Sequence, residues 1–146
     1  MGDPNRLFVD TWGWLVLASS RDPAFKAVSA LRSAKPSKRW ITTDYVLDET
    51  ITRIFSRLPY TQARRFVDGI FEASHTGSLD IEYITPARFV AAWRLRMKYR
   101  DKPEISFTDF TSFAVMQALQ LTSVVTGDAH FEYVGLGFRR IPGYRH

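Results

Sequence analysis

At 146 residues, with 45% hydrophobic and 24% charged side chains, the chain has the length of one domain and the balance of a soluble globular protein. It contains no cysteine, which excludes disulfides and thiolate metal sites and is compatible with a reducing cytoplasm; no apolar run approaches membrane-spanning length. The formal net charge of +5 favours an anionic partner, nucleic acid first among them.

Met1 to Arg6 leads into the first strand without a signal-peptide apolar core, so a cytoplasmic protein is expected. Leu7-Phe8-Val9 reads as a short strand, and an apolar helix follows from Thr11 to about Ala18. Asp22-Pro23 has the N-cap and first-turn proline signature of a second helix, running to about Ala34. Trp40-Ile41-Thr42 is the second strand. The helix from Tyr45 to Leu58 places Leu47, Ile51, Ile54, Phe55 and Leu58 on one face. Another helix runs from Thr61 to about His75, Gly77-Ser78 turns into a strand from Leu79 to Ile84, and Pro86 opens a helix through about Tyr99. Ser106 caps a helix reaching about Leu121, Ser123 to Thr126 is a buried strand, and a last strand lies near Phe138-Arg139-Arg140. Repeated strand–helix–strand units predict one α/β domain over residues 1–146, with a mainly parallel central sheet between helical layers.

Four acids recur at equivalent places in that pattern. Asp10 follows the first strand, Glu49 lies near the start of the helix after the second, Asp109 is in the first turn of the Ser106 helix, and Asp128 follows Thr126-Gly127. The carboxyl ends of parallel strands and the amino ends of their following helices share one edge of the molecule, where ligands bind in open α/β sheets. Converging carboxylates repel unless a cation neutralises them, and hard oxygen donors suit magnesium or manganese. Such a metal activates water and stabilises the leaving oxygen in phosphodiester hydrolysis. Zinc is a poor candidate, because His75, His130 and His146 lack ligand spacing. Each acid also has an ordinary structural role. Asp10 can cap the helix at Thr11, Asp109 fits a capping box behind Ser106, Asp128 suits a turn after Gly127, and Glu49 can be simply exposed. Asp48 lies off the apolar face as Glu49 does, so periodicity does not choose between them. Basic residues gather at Arg32, Lys35, Lys38 and Arg39, at Arg94, Arg96, Lys98, Arg100 and Lys102, and at Arg139, Arg140 and Arg145. They form either a nucleic-acid surface or a solvated face.

Four segments together resemble the PIN-domain ribonucleases, in particular the VapC type of toxin–antitoxin systems. They are Leu7-Phe8-Val9-Asp10-Thr11, the stretch Ile41 to Glu49, the stretch Ser106 to Ala114, and Val125-Thr126-Gly127-Asp128-Ala129-His130-Phe131. They stand in family order and spacing over essentially the whole chain. The resemblance implies a three-layer PIN-like fold and a Mg²⁺- or Mn²⁺-dependent endoribonuclease. Its metal-binding acids carry over to Asp10, Glu49 (rather than Asp48), Asp109 and Asp128. Its strand-end hydroxyl carries over to Thr126, orienting a metal-bound water or a neighbouring carboxylate. It also implies an RNA substrate, an antitoxin whose peptide lies across the site, and a homodimer, for which apolar surface on the helices at 45–58 and 61–75 is available. Where the family often has a small polar residue, this chain has Trp12-Gly13-Trp14. These indoles either stack on bases or pack in the core, and the apolar helix at 11–18 favours the core. Two other readings stand beside this one. A non-catalytic RNA-binding or interaction module keeps the fold but usually lacks an acid. A receiver-like phosphoacceptor needs an acid beside Asp10 and a lysine after Asp128, and neither is present.

Overall fold

The structure, a computed structural model, describes residues 5–143. Met1 to Pro4 and Tyr144 to His146 therefore lie outside the described residues. The elements in chain order are β1 (Arg6–Val9), α1 (Thr11–Leu17), α2 (Phe25–Ser33), β2 (Arg39–Thr43), α3 (Asp44–Arg57) and α4 (Tyr60–Thr76). Then come β3 (Leu79–Glu82), α5 (Pro86–Lys98), α6 (Phe107–Ala118), β4 (Ser123–Val125), α7 (His130–Tyr133) and β5 (Arg139–Ile141). The five strands form one sheet in the order β3-β2-β1-β4-β5, and every pairing is parallel. A parallel sheet with helices on its faces buries both sides of its strands, which is why Leu7, Phe8 and Val9 are consecutive, apolar and all nearly inaccessible.

The departures from the sequence reading have local causes. Asp22-Pro23 makes a turn before α2 rather than its first turn: the Asp22 carboxylate accepts from the Ala24 N–H at 2.8 Å, and the helix starts at Phe25. β3 stops at Glu82 because β2 ends opposite it, and the Ile84 N–H is taken by the Asp44 carboxylate at 2.8 Å. α6 ends at Ala118, three residues early, through a left-handed Gln120 (φ 58°) that lets the Leu121 N–H reach the Met116 carbonyl at 2.8 Å. That terminus is usually marked by glycine, so the sequence carried no stop signal. On α3, Val46, Leu47, Thr50 and Ile54 are buried, while Phe55 is exposed and packs beside Tyr60. The short helix α7 has no counterpart among the expected elements.

Gly13 fixes how closely α1 lies on the sheet. A Cβ there would stand 3.0 Å from the Val125 carbonyl oxygen and from methyl carbons of Val125 and Val9. Gly69, in the middle of α4, has open space around the same position. Alanine is favoured over glycine in helices by roughly 0.5–1 kcal/mol, whereas overpacking against a core costs about 1–3 kcal/mol. Gly69→Ala should therefore raise the urea midpoint and Gly13→Ala should lower it. Shifts of the same sign for the two variants would contradict this packing.

Candidate active site

The strand order reverses at β1: β2 and β3 lie on one side, β4 and β5 on the other. Such a reversal leaves a crevice beyond the carboxyl ends of β1 and β4, the place where open parallel sheets bind ligands. Asp10 leaves β1 there, and Thr126, Gly127 and Asp128 leave β4. The seam is stitched by the Asp10 N–H donating to the Val125 carbonyl at 3.2 Å. Asp10, Glu49, Asp109 and Asp128 all line one cavity of about 430 Å³ at this edge, so the four acids chosen from sequence are brought together. Asp48 is exposed and does not line it.

Asp10 is only 5% exposed. It is the N-cap residue of α1, yet it makes no side-chain capping bond. Its Oδ2 instead accepts from the Thr126 hydroxyl at 2.9 Å, and that hydroxyl accepts in turn from the Asp128 N–H at 3.0 Å. Thr126 thus orients a carboxylate on one strand and the loop leaving the next. Burial pushes the Asp10 carboxyl up to about 6, against the lowering effect of the Thr126 hydroxyl and the Thr11 N–H.

Glu49 sits in the second turn of α3, further in than the sequence suggested. A buried set of hydroxyls turns it toward the site. Thr11 lies 3.4 Å from both the Val46 carbonyl and Glu49 Oε2, and accepts from Thr50 at 3.2 Å. On its outer side Glu49 pairs with Arg53 at 2.9 Å. Asp109 follows the cap Ser106, whose hydroxyl accepts from the Asp109 N–H at 3.0 Å. Its carboxyl faces the other acids. Burial, then the charges of Asp10 and Asp128, hold it protonated well above the usual carboxylate range, and its proton bridges toward Asp128. Asp128 does make a turn, its Oδ1 accepting from the His130 N–H at 2.8 Å, while still lining the cavity.

His130 is one of three histidines that lack ligand spacing among themselves. It begins α7, and its Nδ1 lies 3.3 Å from Asp128 and 3.6 Å from Asp109. Asp109, Asp128 and His130 have donor atoms mutually close enough to hold one ion. Two of the three donors come from one turn and the third from a distant helix, a relation that spacing among the histidines does not report.

Sequence reasoning also missed Arg53, Arg57 and Glu104, which line the same cavity. The two arginines stand four and eight residues after Glu49, on one stripe of α3, a signal that was available. Of the basic residues singled out instead, three stand at another cleft. Arg32, Lys38 and Arg39 surround a separate cleft with Gly77 and Ser78, at the edge where β2 and β3 begin. Of the indoles, Trp14 is core, donating to the Thr42 hydroxyl at 3.3 Å. Trp12 is half-buried and forms part of the cavity wall.

A parallel sheet of this order, with acids from four elements gathered at its reversal point, is the arrangement of a PIN-type nuclease fold. No family model matches the chain. VapC20 of Mycobacterium tuberculosis, a 23S rRNA-specific endonuclease, is 29% identical over 129 residues, which are 88% of this chain and 94% of VapC20. The crystal structure of VapC20, described as a sarcin–ricin loop cleaving toxin, superposes with a TM-score of 0.73 at 28% identity, covering 88% of this chain and 95% of that one. VapBC2 from Rickettsia felis, bound to a DNA fragment from its promoter, gives 0.69 at 14% identity over 92% of this chain and 96% of that one, a likeness of fold. The chain is a homologue of VapC20 and has the PIN-domain fold of the VapC toxins.

The raised Asp10 carboxyl has a consequence for stability. Its folded value of about 6 exceeds its ordinary 3.8, so between those values the folded chain binds more protons than the unfolded one. Stability of the metal-free chain must then fall as pH rises through that window, by on the order of 3 kcal/mol for this group at neutrality. Asp10→Asn should be more stable than the parent at pH 7 in EDTA, with the advantage gone below about pH 4. Urea unfolding curves across that range check it, and a constant difference at every pH would refute it.

Proposed function

We propose that the chain is a divalent-metal-dependent endoribonuclease and the toxin of a toxin–antitoxin pair. The observation that carries this reading is the convergence of Asp10, Glu49, Asp109 and Asp128 on one cavity, where burial and the neighbouring carboxylates push the Asp109 carboxyl up to about 8. Four carboxylates around one cavity supply hard oxygen donors, which suit Mg²⁺ or Mn²⁺, with the His130 nitrogen beside two of them. The homologue VapC20 supports RNA as the substrate class, since its described activity is on 23S rRNA.

In this reading the four carboxylates hold the cation and His130 braces Asp109 and Asp128. When bound, the cation supplies an activated water and stabilises charge on the leaving oxygen. Thr126 keeps the Asp10 carboxylate aimed into the cavity, and the Thr11 and Thr50 hydroxyls do the same for Glu49. Arg53 and Arg57 at the cavity wall meet the phosphates of the strand entering it. Cleavage leaves 5′-phosphate and 3′-hydroxyl ends. An RNA target places the action in the cytoplasm; among the described residues no helix is long and apolar enough to cross a membrane. An antitoxin as protein partner is supported by the VapBC complexes among the structures of like fold.

Asp10→Asn keeps the side chain's shape and removes its charge, so it should lose at least 10²-fold in cleavage of ribosomal RNA in Mg²⁺, on the order of losing one electrostatic contribution to a transition state. EDTA should have the same effect on the parent. RNA bound tightly but never cut, with Mg²⁺ or Mn²⁺ present, would favour a non-catalytic binding module. A homodimer is part of the proposal. The exposed aromatic pair Phe55 and Tyr60, with Phe71, offers apolar surface on α3 and α4, and α5 exposes Phe89, Val90, Trp93 and Met97. Sedimentation at micromolar concentration should report a dimer, and a strict monomer would count against it.

A further inference from the structure

Trp12 is placed between two cavities. One wall of the acidic cavity is its indole, and the same indole, with Gly127, lines a second cavity of about 520 Å³. The two spaces therefore share Trp12 and Gly127 in their walls. They differ in chemistry. The second is bounded by Ala24, Ala27, Thr126 and Pro142, with no charged side chain among the described residues of its lining. It suits an uncharged flat group, where the first suits a phosphate and a cation.

The residue under the ring is matched to it. A Cβ on Gly127 would stand 2.6 Å from the Trp12 Nε1 and 2.7 Å from its Cε2. Gly127 does not have a positive φ, so glycine is needed here for space and not for conformation. The pyrrole ring of the indole lies against Gly127, one residue from Asp128 itself. Trp14, two residues on, is wholly in the core, whereas Trp12 packs against that core with part of its surface left open at the cavity edge.

We infer that Trp12 is the stacking platform for a base of single-stranded RNA whose neighbouring phosphate enters the acidic cavity; this rests on the nuclease reading above. An indole face takes any base, because stacking needs only a π surface. The platform sets how the strand approaches the acids and favours unpaired over paired RNA, since a base must leave its stack to use it.

The test uses the full chain in an Asp10→Asn background, which is expected to bind RNA without cutting it. A short fluorescein-labelled RNA oligomer, and the same oligomer with its central bases removed, are titrated in Mg²⁺ by fluorescence anisotropy. Trp12→Ala should weaken binding of the complete oligomer by roughly 5- to 150-fold, the range given by removing one base–aromatic stack. It should leave the abasic oligomer unchanged, and Trp12→Phe should retain most of the affinity. If Trp12→Ala fails to fold by circular dichroism, indole emission decides: quenching by the complete oligomer should persist in Trp93→Phe and vanish in Trp12→Phe. Equal binding of both oligomers by parent and Trp12→Ala, or quenching that survives Trp12→Phe, overturns the inference. If the parent chain still cuts RNA in that case, the nuclease reading stands without it. A chain that neither binds nor cuts RNA overturns both.

Discussion

The hydroxyl of Thr126, donating to Asp10 across the seam between β1 and β4, is the contact on which the rest of the site depends. Parallel strands run their carboxyl ends to one edge, and a change in strand order opens a crevice there. A crevice alone would leave Asp10 buried and unmatched, which costs several kcal/mol for an isolated ion. Thr126 offsets part of that cost, and because it also accepts from the Asp128 N–H, it fixes the geometry between the acids on adjoining strands. One side chain couples the sheet's topology to the placement of two carboxylates.

The remaining electrostatics are unfavourable. Asp109 is held neutral by burial and by the charges of Asp10 and Asp128, and the Asp10 carboxyl is itself pushed up by burial. The surrounding structure does nothing to relieve this with nearby lysines; its cations are Arg53, paired to the outer side of Glu49, and Arg57 at the rim. A fold that gathers acids and keeps side-chain cations at the periphery is least stable in the state where it is empty and fully ionised. That is the condition under which a divalent cation gains most on binding, because it restores the ionised form of each acid at once.

Much of this was legible in the chain. The alternation of apolar strands with helices gave a parallel sheet, and the acids at equivalent ends of its units pointed to one edge. What was not legible had specific causes. Glu49 and Asp48 are indistinguishable by periodicity, since both lie off the apolar face; the choice is made by Thr11 and Thr50, buried hydroxyls that come from different helices. The end of α6 was overrun because Gln120 adopts a conformation that normally announces itself as glycine. Gly127 looked like a turn residue, yet it is small because Trp12 lies on it, a relation between residues more than a hundred positions apart.

Charge was the least transferable of the sequence signals. A net +5 suggests a broad cationic surface, but several of its members are committed to holding the fold together. Arg140 donates to the Gly127 carbonyl at 3.0 Å and pairs with Glu132, bracing the loop that carries Asp128. Arg96 donates to the carbonyls of Ile105 and Tyr99 and lies over the Phe110 ring, anchoring the segment that leads into α6 and Asp109. Arg39 is engaged by Asp80 at the opposite edge of the sheet. Arg140 and Arg96 serve the site through the backbone they hold, not through the field they project. Because charge–charge attraction is screened within about 10 Å at 0.1 M salt, the cations that matter to a strand entering the cavity are those on its wall. Helix geometry, by placing Arg53 and Arg57 one and two turns beyond Glu49, settles where that positive charge stands.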